Sequence, residues 1–285
     1  MIPKFVNTSY FFNICDHIYP LSLPKLHGDL VFVHPDHLTD FIEYDLEKIQ
    51  VRFILVSAMS DSTIPNYYEK ESDIIEHNSN IIYWYSTNCI QPTQKRRQIP
   101  IGLSYKLDQS IRIICNNPVR IKDSEKDITW KQDEEDIFTI YEMPCEKTEV
   151  LCYGNFHFSM ITLYAEDRKD ALEKIPSDLI DYESSRITKK ETFLQMKKYK
   201  YVVSPFGNGF DCHRTWEALI LGCIPIIKSS GLDPMFEGLP VLIVNSWSDV
   251  TQERLHSFIP KKTQLEKLTM KYWIECLNSA RKDCL

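Results

Sequence analysis

Long apolar runs are absent from this chain: nothing in its 285 residues approaches the ~20 that a helical membrane span requires. The first residues, MIPKFVNTSYFFNICDHIYP, contain aromatics but no basic region leading into a continuous apolar core, so they do not read as a secretory signal. Together these absences set the expectation of a soluble, cytoplasmic protein with no transmembrane segment. Paired cysteines are missing too. Nine cysteines stand singly with no CxxC spacing, an odd number with several in apolar strand-like runs, which favours buried thiols in a reducing compartment. Positive charge is in deficit, 33 Lys and Arg against 40 Asp and Glu. That balance argues against nucleic acid as a partner, although it permits a local cationic pocket. No Asp-x-Asp triplet follows a strand to hold a divalent cation. No GxGxxG follows an early strand, which weighs against a dinucleotide-dependent sugar-phosphate enzyme such as an epimerase. No internal repeat is visible. What is present, 43% hydrophobic and 12% aromatic residues, suffices for one large or two small packed domains.

The most informative stretch is residues 200–227, KYVVSPFGNGFDCHRTWEALILGCIPII. Tyr201, Val202 and Val203 form a short β-prone run. Ser204, Pro205, Gly207, Asn208 and Gly209 break it. Asp211 is placed to cap a helix, and Trp216, Leu219 and Ile220 recur at helical spacing as its buried stripe. Gly222 suits a left-handed helix stop before the strand that begins at Cys223. This reads as one β-α-β unit of a parallel sheet, whose ligands would bind beyond the carboxyl ends of the strands. Asn208 and Gly209 offer backbone N–H groups there, while His213 and Arg214 fall in the first helical turn. Free amides, a helix N-terminus and a cation suit a phosphate. Glu217, one turn further on the same face, suits sugar hydroxyls. The same residues also fit a capped helix with an Arg214–Glu217 surface pair.

Upstream, strands are expected at 29–33, 51–56, 80–85 and 98–103. Leu38, Phe41, Ile42 and Leu46 carry a helical period between the first two. Residues 122–136 are strongly charged and read as an exposed helix or insertion. A second α/β block opens at 149–153, with a domain boundary near Cys145. Residues 187–198 form an amphipathic helix, 241–244 a strand, and 247–258 and 263–277 helices. The fold class expected is α/β with two Rossmann-like domains, 1–145 and 146–285, the last helix free to pack back on the first.

The 204–227 motif resembles the C-terminal signature of exostosin-like glycosyltransferases of the GT-B class. FILVSAMSDSTIP, IYWYSTN and QIPIGLSY are similar to N-terminal segments of that family in the same order, and Tyr153-Gly154-Asn155-Phe156 with Arg168 to its first C-domain strand and loop. A departure is Ser57-Ala58-Met59-Ser60 before Asp61, where the family tends to carry histidine and asparagine; it bears on the acceptor-side pocket. The resemblance implies parallel sheets facing across a cleft and a nucleotide-sugar donor held mainly by the C-terminal domain. Ser204, Asn155 and Arg168 would join Asn208, Gly209, His213, Arg214 and Glu217 around it. It further implies inverting transfer to a glycan or glycoprotein hydroxyl without an essential metal or other cofactor. A UDP-sugar is the expected donor, with UDP-xylose, UDP-galactose and UDP-glucuronate open. The chain resembles the free-standing soluble versions found in microbes and large viruses, a xylosyltransferase among the possibilities.

Inversion needs a general base at the acceptor hydroxyl. Asp61, in the polar loop after the 51–56 strand, is the first candidate, with Asp36 and His37 as alternatives. Asp61 followed by Ser and Thr equally fits an Asx-turn. The HPDH run at 34–37 matches no common metal spacing and reads as a strand-end turn. Trp84 and Tyr85 fit either sugar stacking or a core strand. Cys212 beside His213 fits a small buried thiol better than a nucleophile, because adjacent helical residues do not face each other. The alternative function is a non-catalytic nucleotide- or glycan-binding module in a GT-B shell.

Overall fold

A computed structural model describes residues 4–104, 130–158 and 164–285. Two compact units divide the chain. One gathers the described residues up to Asp133 together with Thr269–Leu285, and the other is Glu134–Leu268. Each is built on a parallel five-stranded sheet, so the α/β class with two Rossmann-like sheets is what the structure has. Among the described residues no helix is long and apolar enough to cross a membrane.

The first sheet runs β1 (His17–Ile18), β2 (Leu30–Phe32), β3 (Phe53–Ser57), β4 (Ile81–Ser86) and β5 (Arg96–Gln98), adjacent in sequence order. β2 and β3 are buried along their whole length, the pattern of a parallel sheet covered on both faces. Phe53, Leu55, Ile81 and Trp84 pack with Leu38, Phe41 and Leu46 in one core. Those last three lie on 35–48, which is a succession of 3-10, α and π turns instead of the expected regular helix. The Leu46 N–H donates to the Phe41 carbonyl, and this wide turn lets both side chains face the core. The strand expected at 98–103 is displaced to Arg96–Gln98. Gly102, at φ +62, ends extended pairing and leaves only a bridge to Asn7. β1 is too short for periodicity to reveal.

The helix Met270–Arg281 and the residues after it belong to this first unit. Arg281 Nη1 meets Asp16 Oδ2 at 2.6 Å and donates to the Gly28 carbonyl at 2.9 Å, and the Tyr83 hydroxyl donates to Asp283 Oδ2 at 2.6 Å. The division between units falls at Asp133, ahead of the Cys145 expected from the sequence, within the helix Trp130–Glu142. Of the charged 122–136 stretch, 122–129 lie outside the described residues. The described part, 131–136, is exposed or half-exposed, and the helix buries Ile137 and Ile140 just beyond it.

The second sheet holds β6 (Cys152–Gly154), β7 (Ile180–Tyr182), β8 (Tyr201–Val203), β9 (Ile224–Lys228) and β10 (Leu242–Val244), in the order β10-β9-β8-β6-β7. Tyr201, Val203, Ile224, Ile226 and Leu242 build its core with Trp247 and Leu255. A capping box of Thr188 and Glu191 starts the helix Lys189–Met196. The helix His213–Ile220 buries Trp216, Leu219 and Ile220 as the spacing predicts, and Gly222 follows at φ +77. Its N-cap is Cys212, not Asp211. The Asp211 carboxylate is turned inward instead, where Oδ1 accepts the Trp216 indole N–H at 2.8 Å. Asp211→Ala would leave that buried donor unpaired. The expected loss is about 1–3 kcal/mol, read as a lower urea midpoint for the second unit.

Candidate functional site

Strand order locates the site. From β6 the chain adds β7 on one side, then returns to add β8 on the other, so the order reverses between β6 and β8. Loops leaving the carboxyl ends of these neighbours diverge and open a crevice, the usual ligand position in open α/β sheets. The two loops are 155–158 and 204–212. Among the described residues the order of the first sheet never reverses and gives no such point.

Two arginines span the loops. Arg168, on the helix Ala165–Lys174, donates from Nε to the Phe206 carbonyl at 3.0 Å and from Nη1 to the His157 carbonyl at 2.6 Å. Arg214 donates from Nε to the Asn155 carbonyl at 3.2 Å and from Nη1 to the Pro205 carbonyl at 3.3 Å and Ser204 Oγ at 3.4 Å. It also stands 5.4 Å from the centre of the Phe156 ring. Each guanidinium thus holds one carbonyl from either loop. Among the described residues neither has a carboxylate within ion-pair distance. Burial, and then the charge of Arg214, draw the Arg168 guanidinium down to about 10, which still leaves it cationic at neutral pH. Desolvation also lowers Arg214, opposed by Cys212, Glu217 and Tyr182. Two desolvated cations that repel one another make a place where an anion would be favoured.

Asp167, next to Arg168, does not neutralise this pair. Its Oδ1 accepts from Lys228 Nζ at 3.2 Å and Trp247 Nε1 at 2.9 Å, while Oδ2 accepts the Phe206 N–H at 3.0 Å. Lys228 balances the carboxylate and leaves Arg168 in excess. Tyr182 closes the other side, its hydroxyl donating to the Phe156 carbonyl. Burial raises this phenol and the charges of Arg168 and Arg214 oppose the shift. The exposed His157 ring is lowered by burial and by Arg168, Arg186 and Arg214. Sequence reasoning missed Asp167, Lys228, Trp247, Tyr182 and His157. Only the Asp167-Arg168 dipeptide offered a local signal, since Lys228 and Trp247 are brought in by the sheet.

The structure gathers the expected donor-side residues at this crevice in different postures. Asn208 is exposed at the loop tip, and Gly209 is buried with its carbonyl accepting the Gly207 N–H at 3.0 Å. A Cβ on Gly207 would stand 3.0 Å from Cys212 Sγ and 3.5 Å from Arg168 Nη2, so a side chain there would press on the Cys212 thiol. His213 opens the helix, half-exposed. The half-exposed Glu217 carboxylate has no hydrogen bond or ion pair among the described residues. Ser204 is buried against Thr215 Oγ1 at 2.9 Å, and the Asn155 amide reaches Tyr153 Oη at 3.3 Å and Thr192 Oγ1 at 3.2 Å. These two hold the scaffold, and Asn155 offers Arg214 its carbonyl. Cys212 is a buried thiol whose Sγ lies 3.5 Å from the Pro205 carbonyl oxygen.

The base candidates lie in the first unit, at the carboxyl ends of β2 and β3. Asp61 is exposed and unpartnered among the described residues. Asp36 Oδ1 accepts from the Tyr68 hydroxyl at 3.3 Å, and His37 Nδ1 stands 4.0 Å from Asp40 Oδ2. Pro35–His37 is a 3-10 turn, and among the described residues no group of three or more His, Cys, Asp or Glu could hold a metal ion. Trp84 and Tyr85 are core residues, the indole N–H donating to Ser57 Oγ at 3.0 Å. His34, read from the sequence only as part of a strand-end turn, is buried. Its Nε2 meets the carbonyl of Met59, a non-glycine residue at φ +70, at 3.2 Å, and its Nδ1 accepts the Asp36 N–H at 3.3 Å. A neutral ring meets both roles, and burial lowers its pKa. Because the native state favours the neutral ring, the unfolded chain binds the proton first as pH falls through about 6.5, and this stabilisation is lost with falling pH. His34→Gln is expected to flatten the melting-temperature decline between about pH 6.5 and 5, relative to wild type.

No family model matches the chain, and no curated protein matches it. Among solved structures it is similar to a trehalose-6-phosphate synthase from E. coli bound with UDP-2-fluoro glucose. The identity is 11% and the TM-score 0.46, over 92% of this chain and 74% of that one. It is also similar to a glycosyltransferase involved in avilamycin A biosynthesis, at 11% identity and a TM-score of 0.32, over 87% of this chain and 88% of that one.

Proposed function

We propose that this chain is a glycosyltransferase of the GT-B class, exostosin-like, that moves a sugar from a nucleotide donor to a glycan hydroxyl. The carrying observation is the pair Arg168 and Arg214, desolvated at the switch point without a carboxylate counterion. A diphosphate fits that pair in charge, and the unpartnered Glu217 fits a ribose diol. Transfer proceeds with inversion. The acceptor oxygen attacks the anomeric carbon as its proton passes to a carboxylate, and the bond from that carbon to the diphosphate oxygen breaks. The nucleoside diphosphate leaves with the bonding electrons. Arg168 and Arg214 meet the charge it gains, work done elsewhere by a divalent ion. Asp61 is the base of this reading, with Asp36 and His37 next. The donor is a UDP-sugar, UDP-xylose first among those to try.

Titration calorimetry with UDP tests the donor side. Arg168→Ala and Arg214→Ala are each expected to weaken binding roughly 10- to 100-fold, the worth of a charge-assisted hydrogen bond, with circular dichroism unchanged. Wild-type affinity in both variants would sink the assignment. For the acceptor side, Asp61→Asn is expected to slow transfer by about 10²–10⁴ while leaving UDP affinity intact. Undiminished turnover would move the base to Asp36 or His37.

A further inference from the structure

Three side chains of the first unit, outside every role described above, form a hydrogen-bonded chain. Ser22 Oγ lies 3.1 Å from His17 Nδ1, and His17 Nε2 lies 3.0 Å from Asp29 Oδ2. The same carboxylate oxygen accepts the backbone N–H groups of Lys25 at 2.8 Å and Leu26 at 2.9 Å. Burial by itself would raise the Asp29 pKa, but these hydrogen bonds and His17 outweigh it and hold the group ionised. An ionised carboxylate only accepts, so the ring proton sits on Nε2. The Nδ1 lone pair is then left to accept the Ser22 hydroxyl proton. That is the order nucleophile, base, orienting acid, recognised by geometry and not by position in a sequence.

The Ser22 segment also carries a spare amide and exposed apolar surface. The N–H groups of Leu21 and Ser22 both donate to the Ile18 carbonyl, at 2.8 and 3.0 Å, while the N–H of Leu23 has no hydrogen-bond partner among the described residues. The amide directly after a nucleophilic serine is a common oxyanion donor. Leu21 and Leu26, each 70% exposed, put apolar surface on the Ser22 and Asp29 segments, and Ser22 is itself partly exposed.

We propose that Ser22 is an acyl-accepting nucleophile and that this cluster hydrolyses small, uncharged carboxylic esters. Ser22 Oγ bonds to the ester carbonyl carbon as its proton moves to His17 Nδ1. The bond to the alkoxy oxygen breaks, and that oxygen leaves as alcohol carrying the proton from His17. Water, deprotonated in turn by His17, releases the carboxylic acid and restores Ser22. This activity is independent of sugar transfer.

The test treats the full chain with p-nitrophenyl acetate, following p-nitrophenolate release and mapping the acetyl group by peptide mass spectrometry. The expected result is a single acetyl group on the Ser22 peptide of native protein. It should be absent from Ser22→Ala and form about 10²–10⁴ times more slowly in His17→Gln. Native wild-type protein that carries no acetyl at Ser22 and releases p-nitrophenolate no faster than Ser22→Ala would overturn the proposal. So would equal labelling of that peptide in urea-unfolded chain, a comparison that needs no variant to fold. A folded His17→Gln variant that labels at the wild-type rate would overturn it as well.

Discussion

One peptide group, that of Phe206, carries the arrangement at the second sheet. Its N–H is taken by Asp167 and its carbonyl by Arg168, so two consecutive residues of one helix grip both sides of the loop after β8. The sheet brings those partners together across 38 and 39 residues of sequence. Once gripped, the loop can no longer slide along the helix without breaking charge-assisted hydrogen bonds on both sides. Arg168 then reaches across to the loop after β6, and Arg214 repeats that span from the opposite helix. The two loops are therefore tied to each other by cations bonded to carbonyls, a geometry that leaves their charge unspent.

The charge pattern follows from that clamp. The whole chain carries a net charge of -7, yet the β6–β8 crevice concentrates arginines. Had Asp167 paired with Arg168, the local field would have been cancelled. Lys228 and Trp247 claim its Oδ1 and the Phe206 amide its Oδ2, so the carboxylate serves position and not neutrality. The same economy appears at Asp211, which sequence reasoning gives to a helix cap and the fold gives to a buried indole. In both cases a carboxylate is used up internally, and at the His213–Ile220 helix the first turn carries no acidic side chain that would repel an anion.

What could be read in the amino-acid string was whatever is encoded locally. β8, the glycine loop, the Trp216 stripe and the Gly222 stop follow one another within a few turns of chain, and spacing alone places them. The strands at β2, β3 and β4 were legible because parallel strands are apolar throughout. β5, with the sequence RRQ, was not, since its pairing depends on β4 and not on its own side chains. β1 is only two residues long, and β7, Ile180–Tyr182, has an exposed Asp181 at its centre in place of a continuous apolar run. Of the site, Arg214 and Glu217 were visible from helical geometry. Asp167, Tyr182 and His34 acquire meaning only through partners that the topology delivers.

Finally, the helix Met270–Arg281 belongs with strands made far earlier, which bears on when each unit has all its residues during synthesis. A nascent chain has every residue of the second unit in hand once Leu268 emerges. The first unit still lacks the segment that supplies Arg281 to Asp16 and Asp283 to Tyr83. Domains usually mature from the amino end. Here the first unit cannot be completed until Thr269–Leu285 is made, after every residue of the second.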